Sequence, residues 1–307
     1  MKAERKYLFK NDRNIYKANL HCHTTVSDGF WTPDQTKEMY KARGYSVVAF
    51  TDHDILKNHS YLNDDEFLAL NAYEFEVIQD LHGEPYEKKK VYHFNLYSSD
   101  PDITQTPQLM HMGYDDIDAI NEYIKEKTEE GFLVCYNHPF WSLQTYEDYS
   151  KLKGCFAVEI YNHCSEVSDG YYGYNPQVYD EMLRCHNKIY CLSTDDNHTC
   201  EDAFGGFVMI NSKSLKYSDI IDSLKCGDFY SSQGPEIYEI SIQDNNLSIR
   251  CSDVCLIVVY TDGRICYVKK GASLNEAKFK LIGNEKYIRV MCRDTGHKDA
   301  NSNAYWF

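Results

Sequence analysis

The first two thirds of the chain show apolar runs that alternate with amphipathic segments, which predicts strands alternating with helices. Residues 46–50 form an apolar run of the kind expected for a strand covered on both faces. The segment before it opens with a helix-start pattern, in which Thr32 caps the helix, Pro33 takes the first helical position and Gln35 closes a capping box. This helix ends at Gly44. Together with the short extended run that ends at His21, the order strand–helix–strand is typical of a parallel sheet.

The same alternation continues and then stops. Further strands are predicted at residues 132–136, 156–161, 188–193 and 229–231, and further helices at 116–130, 176–186 and 218–225. After about residue 234 only strands are predicted, at 237–242, 247–251, 254–260, 265–269, 277–282 and 287–292. We therefore expect an α/β domain over residues 1–233 and a small all-β domain, an antiparallel sandwich, over residues 234–307. Residues 61–92 fit neither pattern, and the charged run at 84–90 is predicted to be a solvated loop.

The bulk composition argues against nucleic-acid and membrane partners. The 307 residues carry a formal net charge of −15, and this acidic excess opposes binding to nucleic acid or to an anionic membrane surface. No run of about 18 apolar residues occurs, and residues 1–10 are charged, so neither a membrane span nor a signal peptide is expected. The 12 cysteines are scattered without a C-x-x-C pair, which indicates reduced thiols in a cytoplasmic protein.

Histidine and carboxylate side chains recur where apolar runs end and polar loops begin. These positions are His21 and His23, residues 51–54 (Thr-Asp-His-Asp), His93, His138 and residues 195–198 (Asp-Asp-Asn-His). Alternate residues of a strand share a face, so His21 and His23 can reach one ion, and Glu74 and Glu76 have the same spacing. Imidazole and carboxylate groups suit divalent metals, and a parallel α/β barrel collects such groups at the carboxyl ends of its strands. The sequence therefore predicts a multinuclear metal site.

Seven pieces of the chain, in order, resemble the PHP (polymerase and histidinol phosphatase) family. They are NLHCHTTVSDG, VVAFTDHD, NAYEFE, VYHFNLY, YNHPF, VEIYN and STDDNH, and the resemblance covers about residues 15–233. It implies a distorted (β/α)7 TIM-like barrel with metal-dependent phosphoesterase activity. The tail, from DFYSSQGPEIYEI to the end, resembles a subgroup with a C-terminal β domain that includes carbaryl-hydrolase-like proteins.

The resemblance also implies which residues hold two to three divalent ions. His21, His23, Glu74 and Asp196 would hold the first ion; Glu74, His93 and His138 the second; Asp28, His53 and His198 the third. Zinc, manganese and iron all fit these nitrogen and oxygen ligands. Glu76 remains an alternative to Glu74, and Asp195 an alternative to Asp196. The family usually has glycine two residues before the bridging glutamate, where this chain has Ala72.

Other residues of the matching pieces are expected to support the ligands without binding ions. Asp52, Glu159, Asn162 and Asp195 are the candidates, since Asp52 should face away from His53 at a strand end and Glu159 and Asn162 fall in a family motif. His163 could line the pocket. The tyrosines at positions 171, 172 and 174 are either packing residues or part of a pocket wall.

The expected function is hydrolysis of a phosphoric ester in a small phosphorylated metabolite or nucleotide, by a hydroxide activated at a trinuclear site. A carboxyl-ester or carbamate hydrolase at the same ions is a second hypothesis, because such a hydroxide also attacks carbonyl carbon. A metal-binding module without catalysis is a third. The substrate should be a small anionic molecule, and the oligomeric state has no signal in the sequence.

Overall fold

The computed structural model describes residues 4–168, 170 and 172–307. Residues 1–3 of the charged first segment, and Tyr171 of the tyrosine cluster, lie outside the described residues. Among the described residues, none of the helices has the length and apolar character needed to cross a bilayer.

Of the helices in the described part of the chain, four lie close to their predicted positions, and two short ones, at residues 146–149 and 163–167, were not predicted. The helices are α1 Pro33–Lys41, α2 Ile117–Glu129, α3 Tyr146–Tyr149, α4 His163–Val167, α5 Pro176–Arg184 and α6 Tyr217–Cys226. The capping box at Thr32 and Gln35 forms as predicted, and Gly227 ends α6 in the left-handed conformation that glycine adopts without strain, with φ of +70°. Local capping chemistry thus sets these helix boundaries.

The strands form one large sheet, so the chain is a mixed α/β structure with few helices. Their bounds are β1 Lys6–Lys10, β2 Asn14–Asn19, β3 Tyr45–Phe50, β4 Leu68–Ile78, β5 Val91–Ser98, β6 Phe132–Tyr136, β7 Ala157–Asn162, β8 Tyr190–Thr194, β9 Phe207–Ser212, β10 Phe229–Ser232, β11 Ile237–Gln243, β12 Asn246–Thr261, β13 Tyr267–Lys280, β14 Tyr287–Arg293, β15 Asp299–Ser302 and β16 Tyr305–Trp306. The hydrogen-bonded order is β1-β11-β12-β14-β15-β10-β9-β2-β3-β4-β5-β6-β7-β8, with β13 beside β12 and β16 beside β14.

The expectation of a purely parallel sheet is wrong for the strands around the site. β2, β3 and β4 are parallel, as are β6, β7 and β8, but β5 runs antiparallel to both β4 and β6. The antiparallel direction of β5 results from residues 61–92, which the sequence pattern left unassigned. β4 and β5 are joined by residues 79–90, which form a long hairpin connection instead of the helical crossover that parallel strands require.

The sheet curves so that the segments following β2 and β8 meet. The amide of Asp196 donates to the carbonyl of His21 at 2.9 Å, and the amide of His23 donates to the carbonyl of Asn197 at 3.3 Å. On the neighbouring strands, the hydroxyl of Ser231 in β10 donates to the carbonyl of Cys191 in β8 at 2.6 Å. Residues far apart in sequence are therefore held at one end of the sheet. The strand count of the predicted barrel stays a prediction.

The C-terminal strands are antiparallel, as expected, but the six predicted runs form only four strands, β11 to β14, and β15 and β16 follow them. The runs 247–251 and 254–260 belong to the single strand β12, whose pairing with β13 is irregular between Arg250 and Leu256, and the runs 265–269 and 277–282 both fall in or next to β13. The predicted strands did not include β1, β4, β5, β9, β15 and β16. β1 pairs with β11, although more than 200 residues separate them. The division at residue 233 and the sandwich arrangement stay predictions.

A buried ion pair connects the C-terminal strands to the helical part of the chain. The Arg289 guanidinium in β14 donates to both carboxylate oxygens of Asp180 in α5, at 2.6 and 2.7 Å. The same guanidinium lies over the rings of Tyr179 and Tyr260. Because Arg289 is fully buried, this contact fixes α5 against β14.

Candidate metal centre

The predicted ligands surround one cavity of about 370 Å³. It is lined by Asp28, His53, Asp54, Glu74, Glu76, Tyr86, His93, His138, Trp141, Cys164, Ser165, Asp196 and His198. His21 and His23 are fully buried against its wall. Side chains from all of the predicted pieces therefore converge, as the resemblance implies.

Each ligand is placed by the end of a strand or by a strand itself. His21 and His23 follow β2, His53 follows β3, His138 follows β6, and Asp196 and His198 follow β8, whereas Glu74 lies within β4 and His93 within β5. Asp196 has a φ of +56°, an unusual value for a residue with a side chain, which turns the chain sharply after β8. Gly29 has to be glycine, since a Cβ there would lie 2.3 Å from the carbonyl of His23.

The first predicted group is compact and buried. The Nε2 atoms of His21 and His23 are 3.1 Å apart, and Oδ1 of Asp196 lies 3.0 Å from each of them. Glu74 closes the group, with Oε1 3.3 Å from His21 Nε2 and Oε2 3.4 Å from His23 Nε2. The four residues present their ligand atoms within the span that one ion can bridge.

The second group shares Glu74 with the first. Oε1 of Glu74 lies 3.0 Å from His93 Nδ1 and 3.3 Å from His138 Nε2. The amide of the Asn137 side chain donates to the same oxygen at 2.8 Å, which fixes the carboxylate. A single glutamate therefore faces both groups, as the predicted bridging role requires.

The third group is more open. Asp28 lies 3.6 Å from His53 Nε2 and 3.7 Å from His198 Nε2, and its side chain is half exposed. His23 borders this group, with Nδ1 3.7 Å from Asp28 and its ring centroid 4.3 Å from those of His53 and His198. A neutral imidazole offers only one lone pair, however, and that of His23 faces the first group at Nε2. The sequence assigned His23 to the first group alone.

The nitrogen and oxygen atoms of the first group cannot satisfy one another by hydrogen bonds alone, whereas a cation could bind them together. Oδ1 of Asp196 is buried and has no hydrogen-bond partner among the described residues, although two imidazole nitrogens lie within 3.0 Å. Two imidazole nitrogens 3.1 Å apart can share at most one proton between them. A divalent ion would satisfy all of these lone pairs together, so the residues present fit the metal that the resemblance implies.

The carboxylates shift the pKa values of the buried histidines. Burial alone would lower the pKa of His23, but Asp196 and Glu74 outweigh it and raise the pKa from 6.5 to about 9. In the same way, burial alone would lower the pKa of His93, but Glu74 and Glu76 raise it to about 10. Glu74 shows the reverse effect, since its burial would raise its pKa but the histidines hold it well below its usual range. The centre is thus built to keep its carboxylates ionised.

The residues predicted to support the ligands are close to them. Glu159 is fully buried and accepts a hydrogen bond from His21 Nδ1 at 2.7 Å and from the amide of His138 at 2.9 Å. Asn162 donates to Glu159 and to Oδ2 of Asp196, both at 3.0 Å. The carboxylate of Asp52 faces away from His53 and accepts from the amide and hydroxyl of Thr24 and from Ser27.

The alternatives for two ligands occupy other positions. Asp195 accepts three backbone amides, those of residues 204–206, at 2.8 Å each, and burial raises its pKa to about 6 despite these hydrogen bonds. It therefore fixes a loop. Glu76 contacts the far nitrogen of His93, Nε2, at 3.3 Å. His163 hydrogen-bonds the Tyr161 hydroxyl at 2.7 Å instead of lining the cavity.

Four cavity residues were not predicted from the sequence: Tyr86, Trp141, Cys164 and Ser165. Tyr86 comes from the charged run that was expected to be a solvated loop, and its hydroxyl lies 3.1 Å from His93 Nε2 and 3.2 Å from Glu76. Trp141 packs edge-on against His138, with ring centroids 4.9 Å apart. For three of these residues the sequence offers one indication, which is that they lie close to a motif piece. Trp141 follows NHPF, and Cys164 and Ser165 lie just after VEIYN.

Comparisons with known proteins agree with this picture at the level of fold. No model of a known protein family matches the chain, and no curated protein matches it. Among solved structures, it is similar to a two-domain protein containing a predicted PHP-like metal-dependent phosphoesterase from Bacteroides vulgatus, with a TM-score of 0.52 and 13% identity over 100% of this chain and 98% of that one. This likeness shows the fold, and the predicted resemblance to PHP-like proteins is confirmed at that level.

Two further solved structures are more distant. A candidate metal-dependent phosphoesterase from Bifidobacterium adolescentis has a TM-score of 0.37 and 15% identity over 59% of this chain and 87% of that one. A lesion-specific endonuclease from Pyrococcus furiosus has a TM-score of 0.45 and 16% identity over 69% of this chain and 56% of that one. The predicted subgroup of the C-terminal tail stays a prediction.

Proposed function

We propose that this chain is a metal-dependent phosphoesterase of the PHP type, which hydrolyses a phosphoric ester in a small molecule. The observation that carries the proposal is the convergence of histidine and carboxylate groups from strands across the sheet. At their centre, a buried carboxylate oxygen of Asp196 has no hydrogen-bond partner within the described part of the chain. The proposal includes a seven-stranded TIM-like barrel over residues 1–233 and a small all-β domain over residues 234–307.

The ligand sets follow the three groups of side chains. His21, His23, Glu74 and Asp196 would hold one ion, and Glu74, His93 and His138 a second. Asp28, His53 and His198 would hold a third that is more accessible to solvent. Zinc, manganese and iron suit such nitrogen and oxygen ligands. Divalent ions in a site of this kind polarise phosphoryl oxygens and lower the pKa of water.

The chain's own residues hold this constellation in place. Glu159 accepts a hydrogen bond from the Nδ1–H of His21, which leaves Nε2 of that ring with its lone pair towards Asp196. Glu76 and the Tyr86 hydroxyl contact Nε2 of His93, so Nδ1 of that ring faces Glu74. These contacts select the ring nitrogen that each histidine presents to the centre.

The size and charge of the site support a small anionic substrate. A cavity of about 370 Å³ has the size typical of small-molecule sites. The chain as a whole carries a net charge of −15, which opposes a long polyanion such as nucleic acid. Positive charge would then be concentrated at the ions, where a phosphoryl group would bind.

The test is release of inorganic phosphate from a panel of phosphomonoesters and nucleotides by protein reconstituted with Zn²⁺, Mn²⁺ or Fe²⁺. Asp196→Ala and the metal-free protein should be inactive. His111→Ala is a matched control, because His111 is exposed and does not line the cavity. A parallel panel of aryl esters and carbamates tests the carbon-ester alternative.

The outcomes separate the hypotheses. Phosphate release that requires the metal and Asp196, but not His111, would support the proposal. Cleavage of carbon esters alone would overturn it in favour of a carboxyl-ester or carbamate hydrolase. Bound metal without activity on either panel would favour a metal-binding module.

A further inference from the structure

An exposed group of aromatic and aliphatic side chains lies beside the candidate metal centre. We call it the aromatic shelf and define it by the residues that line its cavity of about 430 Å³: Phe140, Trp141, Leu143, Gln144, Thr145 and Tyr172. Phe140, Leu143 and Tyr172 are 52%, 47% and 48% exposed. Large apolar side chains at this exposure, grouped together, mark binding surfaces more often than isolated ones do.

The shelf and the centre share Trp141. Trp141 lines both cavities, and its ring centroid lies 4.9 Å from that of His138 and 5.8 Å from that of His93. Phe140 and Tyr172 form a ring pair on the shelf, with centroids 5.0 Å apart. A molecule held at the centre by one end would therefore place its other end past Trp141 and onto this ring pair.

The loop that carries the shelf is fixed by hydrogen bonds to the centre. The amide of Ser142 donates to the carbonyl of His138 at 3.1 Å, and the Ser142 hydroxyl lies 3.1 Å from Nδ1 of the same histidine. The Ser142 carbonyl accepts the amide of Val91 in β5 at 3.3 Å. Leu143 has a φ of +58°, a left-handed conformation that costs free energy for a residue with a Cβ, yet it leaves the leucine side chain in solvent.

The polar side chains of the loop are already bonded to protein. Gln144 contacts the hydroxyls of Tyr136 and Tyr114, and the Thr145 hydroxyl donates to Asp148 at 2.9 Å. None of the six residues that line the shelf carries a charge. The shelf thus offers ring faces and hydrocarbon, which suit a flat apolar group better than a sugar or a charged chain.

We infer that the aromatic shelf binds a planar apolar ring on the leaving-group side of the substrate, so that the substrate class is an aryl or similar ring-bearing ester. This inference rests on the proposed function, because the phosphoryl end of the substrate has to bind at the metal centre. It makes Phe140 and Tyr172 specificity-determining residues that act on affinity and take no part in the bond cleavage.

Binding of phosphonates to the metal-reconstituted protein, measured by calorimetry, tests the inference without turnover. The probes are methylphosphonate, phenylphosphonate and 1-naphthylphosphonate, whose carbon–phosphorus bonds are not esters. We expect the naphthyl compound to bind about ten-fold more tightly than the methyl compound, an advantage of about 1.4 kcal/mol. Phe140→Ala and Tyr172→Ala should each remove most of this advantage and leave methylphosphonate binding unchanged.

Tyr61→Ala is the matched control, because Tyr61 is an aromatic residue of similar exposure (62%) that lines neither cavity. Equal affinities for all three probes, with no effect of Phe140→Ala, would overturn the inference and leave the proposed function standing. No binding of any phosphonate would overturn the proposed function and the inference with it. A dimer that Phe140→Ala dissociates, seen by sedimentation, would also overturn it, since a second copy of the chain would then cover the shelf.

Discussion

Nε2 of His21 and Nε2 of His23 lie 3.1 Å apart, and Oδ1 of Asp196 is 3.0 Å from both. All three side chains are buried, so leaving these lone pairs without a partner would cost free energy. A stable fold would not gather such groups without a compensating charge, which protons supply in the metal-free protein and cations would supply in the loaded one.

Replacing Asp196 tests the role of that carboxylate. Asp196→Asn keeps the shape of the side chain but removes the negative charge that two histidines face, so it should lower metal-dependent phosphate release by about 100-fold or more and weaken metal binding. Asp118→Asn, on the exposed side of α2, is the control and should behave as the wild type. Equal activity of Asp196→Asn and the control would remove Asp196 from the ligand set.

Glu159 should act through the ligands it orients. Glu159→Gln weakens the acceptor at His21 Nδ1 and at the amide of His138, so we expect metal affinity and activity to fall by about 10- to 100-fold. Titration with metal should recover part of the activity, because the ligands themselves remain. Glu122→Gln, on the helix surface, provides the comparison. If excess metal restored nothing, Glu159 would be a ligand or a reacting group instead of a positioning residue.

Metal binding should release protons near neutral pH. The pKa values of His23 and His93 are raised to about 9 and about 10, so both rings are protonated at pH 7 in the metal-free protein, and an ion can bind only their deprotonated forms. The release from these two rings should therefore be close to complete at pH 7 and decrease as the pH rises through about 9 and then about 10. Calorimetric titration with Zn²⁺ in two buffers of different ionisation enthalpy measures it. A heat that does not depend on the buffer would contradict the expected protonation.

The Arg289–Asp180 pair should couple unfolding of the C-terminal strands to unfolding of α5. Arg289→Ala leaves the Asp180 carboxylate without its guanidinium partner, which should cost about 3–5 kcal/mol and lower Tm by roughly 10 °C. Arg250→Ala, whose side chain is 60% exposed, should change Tm little. Two separate thermal transitions in the wild type would show instead that residues 234–307 unfold independently.

The ligands could be found from the sequence because they obey local rules. His21 and His23 alternate after β2, so both can face one side without any knowledge of the fold. Asp196 and His198 repeat that spacing, but the positive φ of Asp196 turns the chain there, and the two side chains join different groups. Capping chemistry at Thr32 likewise set the start of α1. The grouping of these residues around three ions came from the resemblance to the PHP family and not from local spacing.

The strands and cavity residues that were not predicted depend on long-range contacts, which no local sequence pattern encodes. β1 has only five residues with charged ends, and its partner β11 lies more than 200 residues away, so nothing near it marks it as a strand. The antiparallel β5 follows a charged connection that resembles any solvated loop. For the same reason Tyr86 was missed, because only the folded hairpin brings its hydroxyl to His93.

The most direct test of the metal centre is the number of ions bound per chain after reconstitution and extensive dialysis, measured by inductively coupled plasma mass spectrometry. The wild type should retain two to three divalent ions. Glu74→Gln should lose the two ions that share this carboxylate, whereas His53→Ala should lose only the more exposed one. Wild-type protein that retains no metal, or Glu74→Gln that binds as many ions as the wild type, would contradict the proposed centre.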